Sequence, residues 1–257
     1  MKAAAEKAIA LDPDDAEAHI WMGESKRILG WEMEGFKAEV NRALQLDPNS
    51  ATAHTFMGLY EATHGNKDAA VMHVRESLRL DPLSPIVSHF AAVAYLCLGL
   101  LDEAIAEGKR TLQLDPNYIY ETPILADAYR EKGMFAEAIA LFLKAQQITG
   151  APQPGLGVTY ARMGRTEEAR QILAELKEVA AKKYTAAEEI AAVYAALGQK
   201  DEAFKWLEQA CDDHGGAVQA VPIRPVFRSL HSDPRFRAIV RRLGLEPTVV
   251  LDREKSP

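Results

Sequence analysis

Residues 80–114 read LDPLSPIVSHFAAVAYLCLGLLDEAIAEGKRTLQL. Apolar residues recur at helical spacing on both sides of Gly99, so the stretch describes two helices joined at a glycine turn, with Leu-Asp-Pro at each exit. The same punctuation runs along the chain. Asp-Pro follows leucine at Leu11-Asp12-Pro13, Leu46-Asp47-Pro48, Leu80-Asp81-Pro82 and Leu114-Asp115-Pro116, spaced 35, 34 and 34 residues apart. A second marker, Gly30, Gly65, Gly99, Gly133, Gly164 and Gly198, is spaced 35, 34, 34, 31 and 34. Two markers in one register define a repeat, and a repeat decides the fold before local propensity does.

Side-chain size follows the same period. Seven positions before each glycine sits a small residue, Gly23, Gly58, Ala92, Ala126, Gly157 or Ala191, which lets two helix backbones approach. Four positions before it the last four units carry Tyr95, Tyr129, Tyr160 and Tyr194, rings that fill a hairpin while their hydroxyls reach its edge. Five positions after it, Ala70, Ala104, Ala138, Ala169 and Ala203 supply the small contact on the second helix. Each hairpin buries one face internally and needs a neighbour to bury the other.

These residues resemble the tetratricopeptide repeat, and the resemblance covers roughly residues 1–215. It implies an all-α fold, a right-handed superhelix of about six helix-turn-helix units closed by a C-terminal capping helix. Some units depart from the pattern. The first has an extra residue near Trp31, with Lys26 in the tyrosine place and Gly35 in the alanine place; the second has Glu61 in the tyrosine place. Between Gly133 and Gly164 three residues are absent and no Leu-Asp-Pro occurs, which predicts a shortened helix and an altered stacking angle.

In register, residues 1–13 match the second helix of a truncated repeat, as in a piece of a longer protein, and 14–221 the six-unit solenoid. Residues 222–247 read as a capping segment: Ser232 or Asp233 caps a helix with Pro234 in its first turn and Gly244 at its end, and Phe227, Leu230, Phe236, Ile239, Val240 and Leu243 cover the end of the stack. A disordered tail is expected over 248–257. The ending, Asp233-Pro234-Arg235-Phe236 followed by an Arg-Arg-Leu-Gly-Leu run, resembles the repeat regions at the C-termini of bacterial multidomain signalling and transcription regulators.

Composition narrows the function. With 30 Lys+Arg against 37 Asp+Glu, a formal net charge of -7 and 48% hydrophobic residues, the chain has material for a core and lacks the basic surface of a phosphate-backbone binder. No apolar run approaches a membrane span, and two cysteines, Cys97 and Cys211, make no disulfide framework; both fit a cytoplasmic protein. Gly155-Leu156-Gly157 fails as a dinucleotide loop because Tyr160 takes the third glycine place. His19, His54, His64, His73 and His89 read as packing or surface residues repeated by the period, and Cys211 with His214 has no second pair for a metal. Acidic residues around Asp12–Glu17 suit a helix start. Arg224, Arg228, Arg235, Arg237, Arg241 and Arg242 suit a solvated cap pairing with the acidic body. No catalytic residue, metal site or cofactor is expected.

The resemblance implies that the first helix of each unit lines a concave face. In the second and third units those places hold Thr52, Thr55, Leu59, Ile86, His89, Val93, Leu96 and Cys97, an apolar stretch suited to gripping a helix or extended segment. The alternative is that tight curvature buries them. In the fourth unit Tyr120, Pro123, Asp127, Arg130 and Glu131 turn the groove polar, and Tyr120, Asp127 and Arg130 are expected to set a partner's register. The Lys, Asn and Arg clamp by which one subgroup of the family holds a C-terminal carboxylate is missing, since Ile20, Glu24, Thr55, Leu59 and Phe90 stand in its places. The sequence thus points to a non-catalytic scaffold for a protein or peptide segment. The alternative is the regulatory region of a bacterial signalling protein whose N-terminal output domain lies outside these residues.

Overall fold

The computed structural model describes residues 1–182, 186–214 and 218–245. Those residues form α-helices and two 3-10 helices, with no strand among them. A single helix, α1 (Lys2–Leu11), precedes six hairpins: α2 (Ala16–Gly30) with α3 (Met33–Leu46), α4 (Ala51–Thr63) with α5 (Lys67–Leu80), α6 (Pro85–Leu98) with α7 (Leu101–Leu114), α8 (Glu121–Glu131) with α9 (Phe135–Thr149), α10 (Pro154–Arg162) with α11 (Thr166–Lys182), and α12 (Ala187–Ala196) with α13 (Lys200–Asp212). The 3-10 helices Val218–Ile223 and Pro225–Leu230 and the helix α14 (Pro234–Arg242) follow. The tail expected at 248–257 lies outside the described residues.

The Leu-Asp-Pro markers act as a stop and a start. α1, α3, α5 and α7 end on the leucine, and the next aspartate turns to extended or nearly extended backbone. The carboxylates of Asp12, Asp47 and Asp115 each accept from the N–H two residues on, an Asx turn. Asp15, Ser50 and Ser84 then cap α2, α4 and α6 by accepting from the N–H groups of Ala18, Ala53 and Val87. In the fourth unit Tyr118 stands where the cap belongs, and α8 begins only at Glu121.

The first hairpin corrects the glycine marker. Gly65, Gly99, Gly133, Gly164 and Gly198 all adopt positive φ, but Gly30 is the last residue of α2 and Trp31 takes the left-handed position at φ 52°. The extra residue is absorbed inside the turn, so Gly23 keeps its register against Phe36 and Glu39. Lys26 and Gly35 compensate each other, because a Cβ on Gly35 would come 3.0 Å from Lys26 Cδ: the lysine stem occupies the space a tyrosine fills elsewhere. The three residues lost before Gly164 come out of the first helix of the fifth unit, since α10 has only 9 residues.

First helices touch along the stack, α4 on α6, α6 on α8, α8 on α10 and α10 on α12, so the curvature is tightest on their side and that face is concave. The C-terminal segment covers the last unit and also reaches into the concave side. α14 does cover α13, with Asp233 accepting from the N–H of Arg235 and Pro234 in the first turn. The residues before it run inward: both 3-10 helices lie on the concave side, one against α4 and α13, the other against α12. Val218, Val221, Val226, Phe227 and Leu230 are buried there, and Pro222 and Pro225 withdraw two backbone donors, which leaves only short 3-10 turns. We call residues 218–230 the strap.

Candidate inner-face site

On the concave side of the first three units a trough of about 570 Å³ lies between α2, α4, α6 and the strap. Thr52, Thr55, Phe56 and Leu59 enter it from α4, and Ile86, Phe90, Val93 and Cys97 from α6. Trp21, Glu24 and Arg27 close one side from α2, while Gln219, Ala220 and Ile223 of the strap form the facing wall. Of the residues named from sequence for this groove, Thr52, Thr55, Leu59, Ile86, Val93 and Cys97 therefore come together.

The aromatic members were not anticipated. Trp21, Phe56 and Phe90 each stand nine positions before a marker glycine, so the period stacks them in a row. The Trp21 and Phe56 ring centroids are 6.5 Å apart and edge-on, and those of Phe56 and Phe90 are 6.0 Å apart. An aromatic at one register position in three consecutive units was the available sequence signal. Ile86 remains 54% exposed and Trp21 41%, so the stripe is not fully covered.

Other expected groove residues lie elsewhere. Leu96 is buried in the core of the third hairpin. His89 is buried and its Nδ1 is 2.6 Å from Glu121 Oε2, a contact between α6 and α8. Burial holds the Glu121 carboxyl above its ordinary range, opposed by the His89 hydrogen bond. Tyr120 is 68% exposed at the start of α8 and stacks edge-on with Tyr118.

Asp127 and Arg130, expected to set a partner's register, pair with each other within the chain. Arg130 is 4% exposed and pairs with Asp127 and, at 3.2 Å, with Glu131; Glu131 also receives Arg162 at 2.9 Å. The strap completes this polar half. Arg224 forks onto Glu189 at 2.7 and 3.0 Å, the bidentate arrangement that suits a guanidinium. Burial opposes the Arg224 charge, but Glu189 and Asp127 more than offset it and the guanidinium stays protonated. Burial likewise raises Asp127 despite Arg130 and Arg224. At the other end of the strap Gln219 donates to the Arg27 carbonyl at 3.0 Å and accepts from the Arg27 guanidinium at 3.2 Å.

His19 and His54 do the packing work read for them: each bonds the second helix of its hairpin, through Glu39 and His73, and the carbonyl of Pro13 or Pro48. No group of three or more metal-ligating side chains occurs among the described residues, and no described helix is long and apolar enough to cross a membrane. The arginines of the C-terminal segment pair with acidic neighbours, Arg235 with Asp201 and Arg242 with Asp212.

Tetratricopeptide repeat models match residues 57–119, 124–151, 155–182 and 185–215, together more than half of the chain. The chain belongs to the tetratricopeptide repeat family, an interaction fold, and is a repeat scaffold for protein contacts. Among solved structures, PilF of Pseudomonas aeruginosa is 20% identical, covering 79% of this chain and 94% of its own, with a TM-score of 0.56. PilW, described as a widely conserved type IV pilus biogenesis factor, is 18% identical, covering 77% and 93%, with a TM-score of 0.57. At such identities the likeness is one of fold. A search of curated proteins returns no match.

Proposed function

We propose that this protein is a non-catalytic scaffold that holds a segment of a partner protein in the trough of α2, α4 and α6. The observation that carries the reading is the aromatic and aliphatic stripe of Trp21, Phe56, Phe90, Leu59, Ile86 and Val93, aligned by the repeat and still partly open. Magnitudes favour it over the polar half as the source of affinity. Covering an apolar side chain is worth about 1.5–3 kcal/mol, whereas Asp127 and Arg130 already satisfy each other and have little left to offer a partner. Their role is to fix α8 beside the strap.

The test is selection of a displayed library of random decapeptides against the full chain, with the best decapeptide then titrated by fluorescence anisotropy. Val93→Glu puts a carboxylate into the apolar stripe. With Leu59→Ala it is expected to weaken capture at least about tenfold, roughly 1.4 kcal/mol, with the far-UV circular dichroism unchanged. Equal binding by this double variant refutes the assignment of the trough.

A further inference from the structure

The strap enters the trough as a wall, and it is anchored at a distance from it. Gln219, Ala220 and Ile223 face α2, α4 and α6. One residue beyond Ile223, the backbone turns extended at Arg224, whose fork onto Glu189 ties the strap to the sixth unit. The geometry therefore links any occupant of the first three units to an ion pair in the last. Arg224 also lies over the ring of Phe227, 5.6 Å from its centroid, and Phe227 is fully buried, so the anchor has little room to shift.

The trough restricts what can fill it. The trough between the stripe and the strap offers about 570 Å³, room for the apolar side chains of a short segment. The charged side chains lining the trough are Glu24 and Arg27, which fork onto each other at 2.8 and 2.9 Å, and Arg27 also holds Gln219. A charged occupant finds no uncompensated counter-charge among them. The chain's own Val218–Ile223, largely apolar and wound as a 3-10 helix, already packs on this face.

We propose that the trough and the strap form one composite site for a short, uncharged apolar segment of a partner protein, with Ala220 and Ile223 touching the occupant and Arg224 positioning the strap through Glu189. This rests on the trough reading above. The same decapeptide selection on the full chain tests it. Peptides enriched on the natural sequence should be apolar and without charged residues. Ala220→Trp, which fills the trough from the strap side, should weaken the best decapeptide at least about tenfold. Arg224→Met should weaken it comparably, and Arg224→Lys, which keeps the charge but loses the fork, should restore part of the loss.

Unchanged binding by both Ala220→Trp and Arg224→Met, with Val93→Glu still disruptive, overturns the composite site and leaves the trough reading standing. Unchanged binding by Val93→Glu as well overturns both. Enrichment of charged peptides overturns the occupant's chemistry, and no enrichment over blank resin overturns both proposals. Should Arg224→Met lose helicity, Ala220→Trp decides alone, because Ala220 is only half-buried and carries no ion pair.

Discussion

At the scale of single residues, the buried carboxyl of Glu121 is a group whose protonation the fold controls. One oxygen takes the hydrogen bond to His89, and the other, Oε1, has no hydrogen-bond partner in the structure. A Cβ at Gly108 would stand 2.7 Å from that oxygen, so the glycine leaves it just enough room. Burial raises the Glu121 pKa above 4.5, the His89 contact pulls it down, and the charge of Glu107 pushes it up again. The folded chain therefore holds this proton more tightly than the unfolded chain does. Its stabilising contribution is complete below pH 4.5 and is lost as pH rises through the folded value. Glu121→Gln keeps the shape and cannot titrate. Thermal unfolding of the two proteins from pH 4.5 towards neutrality should show the natural chain's advantage shrinking; a constant or widening gap sinks this account.

At the scale of elements, the junction of α9 and α10 shows how the repeat survives the loss of three residues. Gly150 ends α9 at φ 66°, and Pro154 starts the shortened α10 four residues later. The shortening brings Gly155 against Phe142: a Cβ there would meet the ring at 2.2 Å. Gly155→Ala is thus expected to cost about 1–3 kcal/mol by overpacking. Combined with Phe142→Leu the cost should be less than the sum of the single changes, because the two side chains compete for one space; additive losses in urea unfolding would contradict this. The hairpins were legible because Gly, Leu-Asp-Pro and small residues recur at positions whose geometry admits few alternatives. The aromatic row at Trp21, Phe56 and Phe90 was equally periodic, but it falls one place away from the positions that the family resemblance highlights. The strap was not legible. Pro222 and Pro225 break the helix that the spacing of Val218, Val221, Val226 and Leu230 would suggest, and the segment's partners lie up to 192 residues away, as the Arg27–Gln219 pair shows.

At the scale of the whole molecule, that long-range contact changes how the solenoid should unfold. Repeat arrays are held by neighbour contacts, so their ends fray independently. Here the first unit is tied to the last. Arg27 holds Gln219, Trp31 stacks on His214 with centroids 4.5 Å apart, and a Cβ on Gly244 would come 3.2 Å from the Trp31 carbonyl. The first unit also holds two of the three tryptophans, Trp21 and Trp31, and the sixth holds Trp206. In a Trp206→Phe background, fluorescence reports the first unit and far-UV circular dichroism reports the whole chain. With the tie intact, urea should give coincident transitions by both probes, as for one cooperative unit. Gln219→Ala with His214→Ala removes two of the three contacts, and fluorescence should then move to lower urea than dichroism. If the two curves stay superimposed in that variant, the ends are held by their own hairpin packing alone, and the closure of the solenoid adds nothing to its cooperativity.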